Sequence, residues 1–152
     1  ERCGNTPMEV LLVNLRMLGW IDNDLSRLCD YCSLVSRVCG VPIAYNHPVH
    51  GADAFRTQTG VHASAVLKAT QMGEAWLADR IYSSVPAGWV GRSQEIEIGP
   101  MSGASNVIFW LRARNLEPHS YLVEAIFEAA KTSRRRLTDA EILGIVEACP
   151  KP

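Results

Sequence analysis

The stretch TPMEVLLVNLRMLG, residues 6–19, decides the fold class of this chain. Thr6 and Glu9 stand at the spacing of a capping box, with Pro7 at the favoured first helical position. Met8, Leu11, Leu12, Leu15 and Leu18 then recur at helical spacing, and Gly19 can stop the turn. Val10, Val13 and Met17 lie on the other side. The helix is therefore expected to be buried on two faces, which requires two neighbours, for example a barrel on one side and another domain on the other.

Helical patterning continues outward from this segment. A second helix is expected from about Asp24 to Val38, with Leu25, Leu28, Cys32, Val35 and Val38/Cys39 inward and Gly40 as its stop. Residues 41–54, VPIAYNHPVHGADA, carry the prolines, glycine and asparagine of a loop. Helices follow from Phe55 to about Ala69 and from Met72 to Tyr82. SSVPAGWVG interrupts them, and SQEIEIG alternates as a strand does. Beyond Pro100 the pattern predicts helices near Ser105–Arg114, Pro118–Lys131 and Asp139–Ala148, the last behind a second capping box at Thr138–Glu141. The fold class is thus mainly α with a small β element.

The totals narrow the function classes. A chain of 152 residues with 47% hydrophobic content can bury one ordinary core. A net charge of -1 gives no electrostatic case for nucleic acid or an anionic membrane. No apolar run reaches the roughly 20 residues that span a bilayer. The five cysteines are irregularly spaced and are expected to be reduced, which with the absence of a secretory signal points to the cytoplasm. The opening ERCGNTP lacks an initiator methionine and runs at once into a helix, so a piece of a longer polypeptide is expected.

Several residues could carry chemistry. Cys29 and Cys32 have the spacing of a metal or redox pair, but with no second pair to complete a tetrahedral site they read better as core thiols on one helix face. His47 and His50 make a weak metal signal. GPMSGASN, residues 99–106, opens a helix and reads as a cap through Ser102 or Ser105 or as an anion cradle without a P-loop lysine. Arg134–Arg136 reads as a solvated terminus. His62, in TGVHASAVLKA, and Tyr82 are bland by residue type alone, since a lone histidine is more often structural than catalytic.

Four stretches nonetheless resemble, in order, segments of the 2-isopropylmalate, homocitrate and citramalate synthase family. ERCGNTPMEVLLVNLR resembles the segment that closes the catalytic barrel. GADAFRTQTGVHASAVLKA is similar to the family's AF…(S/T)GIH…LK segment, YSSVPAGWVGR to its Y…P…(V/F)G loop, and IEIGPMSGASNV to its G-x-x-SG segment. The resemblance implies the C-terminal part of an acyl-CoA Claisen-condensing enzyme of the metal-dependent TIM-barrel superfamily. Residues 1–22 would end the (β/α)8 barrel, 23–83 would form a linker subdomain, and 84–152 a small C-terminal subdomain. The barrel itself would be missing from the chain.

The same resemblance implies that His62 and Tyr82 reach the active site of a partner subunit in an intertwined homodimer. Glu1, Arg2 and Asn5 match residues near the barrel's metal end, without an assignable role. The substrates implied are acetyl-CoA and a 2-oxo acid, with 2-oxoisovalerate, in leucine biosynthesis, ahead of the homocitrate and citramalate alternatives. A divalent metal (Mg, Mn or Zn) is implied for the intact enzyme, with its ligands upstream of Glu1, so this chain alone is expected to bind no catalytic metal and to be inactive. On the same resemblance, Thr57 stands where several relatives carry a histidine, and the stretch ending EACPKP is expected not to include the leucine-binding domain of feedback-regulated relatives. The competing reading is a non-catalytic dimerisation module or one that binds a barrel-bearing partner. On either reading the incomplete barrel edge should leave an exposed apolar patch and favour self-association.

Overall fold

The computed structural model describes residues 3–149. Glu1 and Arg2 lie outside them. The described residues form seven α-helices and one pair of short strands: α1 (Met8–Met17), α2 (Leu28–Cys39), β1 (Arg56–Thr57), α3 (Gly60–Gln71), α4 (Ala75–Arg80), β2 (Glu95–Ile96), α5 (Ala104–Arg112), α6 (Ser120–Thr132) and α7 (Asp139–Ala148). A 3-10 turn occupies Ala87–Val90. The expected mainly helical class holds. None of the described helices is long and apolar enough to cross a membrane.

The chain divides into two compact units. The first runs up to Phe55 and takes in Ser83–Gln94. Its core gathers Val13, Leu25, Leu28, Cys29, Val49, Phe55, Ala87 and Val90. Gly40 adopts the left-handed conformation and ends α2 there, as its lack of a side chain permits. The start of α2 falls later than its periodicity suggests. Asp24 instead accepts hydrogen bonds from the backbone and hydroxyl of Ser26, a local turn that competes with helix. Gly91, also left-handed, abuts the Ser26 carbonyl with no room for a β-carbon.

One expectation for α1 fails, and a second, burial on two faces, is met on one face among the described residues, the other showing exposed apolar side chains. Pro7 itself occupies the N-cap, in extended conformation, and no side chain caps the helix, so the Thr6–Glu9 box is not made. Burial is one-sided. Val13 is buried and Val10 and Leu12 pack beside it, whereas Leu11, Leu18 and Trp20 are exposed, Trp20 by 74%.

The second unit comprises Arg56–Tyr82 and the chain from Glu95 onward. Its strands pair in parallel, Arg56 opposite Glu95 and Thr57 opposite Ile96. Arg56 also binds the Glu95 carboxylate at 2.9 Å. The expected strand in SQEIEIG therefore exists, and its partner falls just before α3, where helix was anticipated. Two clusters fill this unit. Ala63, Val66 and Ile96 pack with Ala78, Ile81 and Phe109. Ile98, Val107, Trp110, Leu111, Leu122, Ile126, Ala130 and Ile142 form the larger core, with α6 contributing residues one turn apart. Here the capping box does form: the Glu141 amide donates to Thr138 Oγ1 at 3.3 Å, and the Thr138 amide donates to Glu141 Oε2 at 2.8 Å.

Candidate active site

Helix α3 turns Ala63, Val66, Leu67 and Ala69 into the core. That leaves His62, between the buried face and solvent, half-buried. Helix α4 packs back on α3 through Ala78 and Ile81. Tyr82 follows α4 and is delivered onto His62. The two rings stack with centroids 4.0 Å apart and an interplanar angle of 28°. Such a stack contributes about 0.5–1.5 kcal/mol beyond burial, enough to hold the imidazole plane. Tyr82 remains 52% exposed. Neither ring nitrogen of His62 has a hydrogen-bond partner among the described residues. Beside the pair lies an open concavity of about 400 Å3 lined by Gly60, Val61, Ser64, Ala65, Lys68 and Tyr82. A group that takes or gives a proton needs both accessibility and a fixed orientation; the stack orients the His62 ring, and its partner Tyr82 lines the concavity.

The platform under the site is a buried polar knot. Asn106, fully buried, donates through Nδ2 to the carbonyls of Gln58 at 2.9 Å and Glu97 at 2.8 Å, and accepts from the Gly103 amide at 3.0 Å. Ser102 accepts from the Gly99 amide at 2.9 Å and lies 2.9 Å from the Gln58 carbonyl. These bonds tie the strand leading into α3 to the loop leading into α5. Lys131 closes the knot by donating to the carbonyls of Pro100 and Ser102 at 3.0 and 2.8 Å. The 99–106 segment is thus a cap, with Asn106 in the part assigned to Ser102 or Ser105. Sequence reading missed Asn106 and Lys131; the one available signal was an asparagine three residues into an otherwise apolar helix.

The other candidates have structural work. Cys29 is buried and Cys32 partly buried on α2, and burial raises both thiols, Cys32 to about 11. They are not poised nucleophiles. His47 bonds Glu9 at 3.0 Å and His50 bonds Ser33 at 3.1 Å, ties between distant segments that spacing does not reveal. Burial and the neighbouring Arg92 guanidinium lower the His50 pKa. Arg135 and Arg136 pair with Glu141 and Glu97. Thr57 lies in β1, and Asn5 is exposed. No three His, Cys, Asp or Glu side chains among the described residues are grouped to hold a metal.

No protein-family model matches the chain. Whole-sequence comparison does find relatives. The chain is 30% identical to the "Putative (R)-citramalate synthase CimA" of Methanoculleus marisnigri, over 97% of its own length and 28% of that protein. It is 29% identical to the homocitrate synthase AksA of Methanopyrus kandleri, over 96% of the chain and 36% of that protein. It is 28% identical to the "Probable 2-isopropylmalate synthase" of Archaeoglobus fulgidus, over 97% of the chain and 29% of that protein. The chain therefore spans about three tenths of the length of the relatives it matches. Over nearly its whole length it is homologous to a part of the citramalate, homocitrate and 2-isopropylmalate synthases.

Proposed function

We propose that this chain, homologous to a part of the citramalate, homocitrate and 2-isopropylmalate synthases, is the C-terminal segment of such an enzyme and supplies His62 and Tyr82 to an acetyl-CoA-dependent condensation. The observation that carries the reading is the His62–Tyr82 stack, whose tyrosine lines an open concavity. The resemblance singles out these two residues from separate segments, and they meet in space. The reaction removes a proton from the acetyl methyl of acetyl-CoA, adds the resulting carbanion to the carbonyl carbon of a 2-oxo acid, and hydrolyses the thioester to release CoA. His62 takes a proton from the acetyl methyl or from the hydrolytic water, its ring plane fixed by Tyr82. The Tyr82 hydroxyl donates to an oxygen on which negative charge develops. A divalent metal, which residues of the barrel would hold, would supply polarisation of the oxo-acid carbonyl. The described residues of this chain group no ligands for it, and no step assigned to His62 or Tyr82 passes through it.

The preferred 2-oxo acid is 2-oxoisovalerate, with pyruvate and 2-oxoglutarate as alternatives, and the setting is a cytoplasmic homodimer in which the segment faces a partner's barrel. A second reading, an interaction module without catalysis, draws on the exposed apolar side chains of α1 and the residues after it, Leu11, Leu18 and Trp20 among them. Thiol-reagent detection of CoA release separates the two. The chain is mixed with the separately expressed barrel of a relative, acetyl-CoA, Mg2+ or Mn2+, and each oxo acid in turn. Activity present only in the mixture supports the catalytic reading. Stable complex formation without CoA release supports the module.

A further inference from the structure

In the first unit, α1, α2 and the loop that follows α2 line a cavity of about 410 Å3, within the range of small-molecule sites. Met8, Tyr31, Val35, Val41, Pro42 and Ile43 make its apolar walls. Glu9, His47 and His50 make its polar end.

The hydrogen bonds assign the charge there. His47 Nδ1 accepts from the backbone amides of Val49 at 3.3 Å and His50 at 3.2 Å. Its proton is therefore on Nε2, which donates to Glu9 Oε1 at 3.0 Å. This tautomer is the neutral imidazole, and no ion pair of Glu9 with a lysine or arginine occurs among the described residues. The second Glu9 oxygen has no hydrogen-bond partner among the described residues. Arg92, the cation near His50, is not in the cavity lining and donates to the Gly51 carbonyl at 3.4 Å. Burial, and after it the field of Glu9, pushes up the Cys32 thiol, which also lines the cavity.

We propose that this cavity binds a small apolar molecule bearing a protonated amine, with its hydrocarbon part against α2 and its ammonium on the free oxygen of Glu9. An alcohol satisfies the same acceptor without the charge, and a carboxylate meets a like charge. The order of affinity is therefore amine, alcohol, carboxylate. The site is independent of His62 and Tyr82.

Three probes with one tail test it: hexylammonium, hexanol and hexanoate, titrated at pH 7 into the full 15N-labelled chain while backbone amide shifts are followed. The expected result is saturable shifts around Val35, Ala44 and His47, with hexylammonium bound about tenfold or more tighter than hexanoate. Glu9→Gln keeps an acceptor for His47 and removes the charge, so it should bring the two affinities within about twofold. Val35→Phe should fill the space and weaken all three probes. The proposal is overturned if no probe saturates, if hexanoate binds the unaltered chain as tightly as hexylammonium, or if a folded Glu9→Gln chain keeps the original preference.

Discussion

Gly60 and Gly103 meet backbone to backbone: a β-carbon built on Gly60 would lie 2.8 Å from the Gly103 nitrogen. The Gly60 amide also donates to the Met101 carbonyl at 3.1 Å. Since His62 lies on the first turn of α3, this close approach sets where the imidazole stands.

Gly60→Ala should therefore act on the site as well as on stability. The new methyl group pushes the start of α3 away from Gly103 and separates the stacked rings. Ring-to-ring nuclear Overhauser contacts between His62 and Tyr82 should weaken while the shifts of the α6–α7 core stay in place. Unchanged ring contacts in Gly60→Ala would show that the glycine pair does not position the histidine.

Asn106 carries the largest predicted stability effect. Replacing it with Ala removes its bonds to the Gln58 and Glu97 carbonyls and leaves the Gly103 amide without its side-chain partner, at a fully buried position where the Ser102 hydroxyl can serve only one of the two carbonyls at a time. The expected loss is about 3 kcal/mol, measured as a lowered urea midpoint of the second unit. A loss below about 1 kcal/mol would mean that the knot relaxes.

The α7 cap should make part of the stability acid-sensitive. Arg135, followed by the amide and hydroxyl of Thr138, holds the Glu141 carboxyl down to about 2, below the usual carboxylate value. A depressed carboxyl contributes stability that is present above its unfolded pKa and is lost as pH falls toward the folded value. The contribution of this cap should therefore fade between about pH 4.3 and pH 2. Glu141→Gln should flatten that portion of the pH–stability curve. At neutral pH, Thr138→Ala should cost about 1 kcal/mol through the lost cap.

Tyr82→Phe retains the ring over His62 and removes the hydroxyl. On the proposed mechanism the ring contacts persist while CoA release in the barrel mixture falls about 100-fold. Tyr82→Leu should lose more, because the imidazole is no longer held in plane. Equal activities for Phe and Leu would assign the contribution to the hydroxyl alone.

Much of this architecture is legible in the residues, for reasons that differ by element. The helices from α2 to α7 follow their apolar spacing, and Gly40 and the Thr138–Glu141 box mark termini because each satisfies backbone groups locally. The box at Thr6 has the right letters and fails because Pro7 takes the cap position itself. β1 escapes notice because its two residues run without alternation into the helical pattern of α3, whereas the equally short β2 lies within the alternating SQEIEIG. The position of Tyr82 over His62 depends on α4 folding back along α3, which local spacing does not encode; resemblance pointed to both residues, and packing joins them. The Glu9–His47 bond and the Asn106 knot are likewise tertiary, made by residues whose neighbours in sequence give no hint of them.

The most direct measurement is the initial rate of CoA release from acetyl-CoA and 2-oxoisovalerate by the barrel mixture, with the unaltered chain and with His62→Ala at equal folded concentration. The account predicts activity with the unaltered chain and a fall of about 100- to 10,000-fold with His62→Ala, at unchanged affinity of the two pieces for each other. An active mixture in which His62→Ala works as well as the unaltered chain would contradict it.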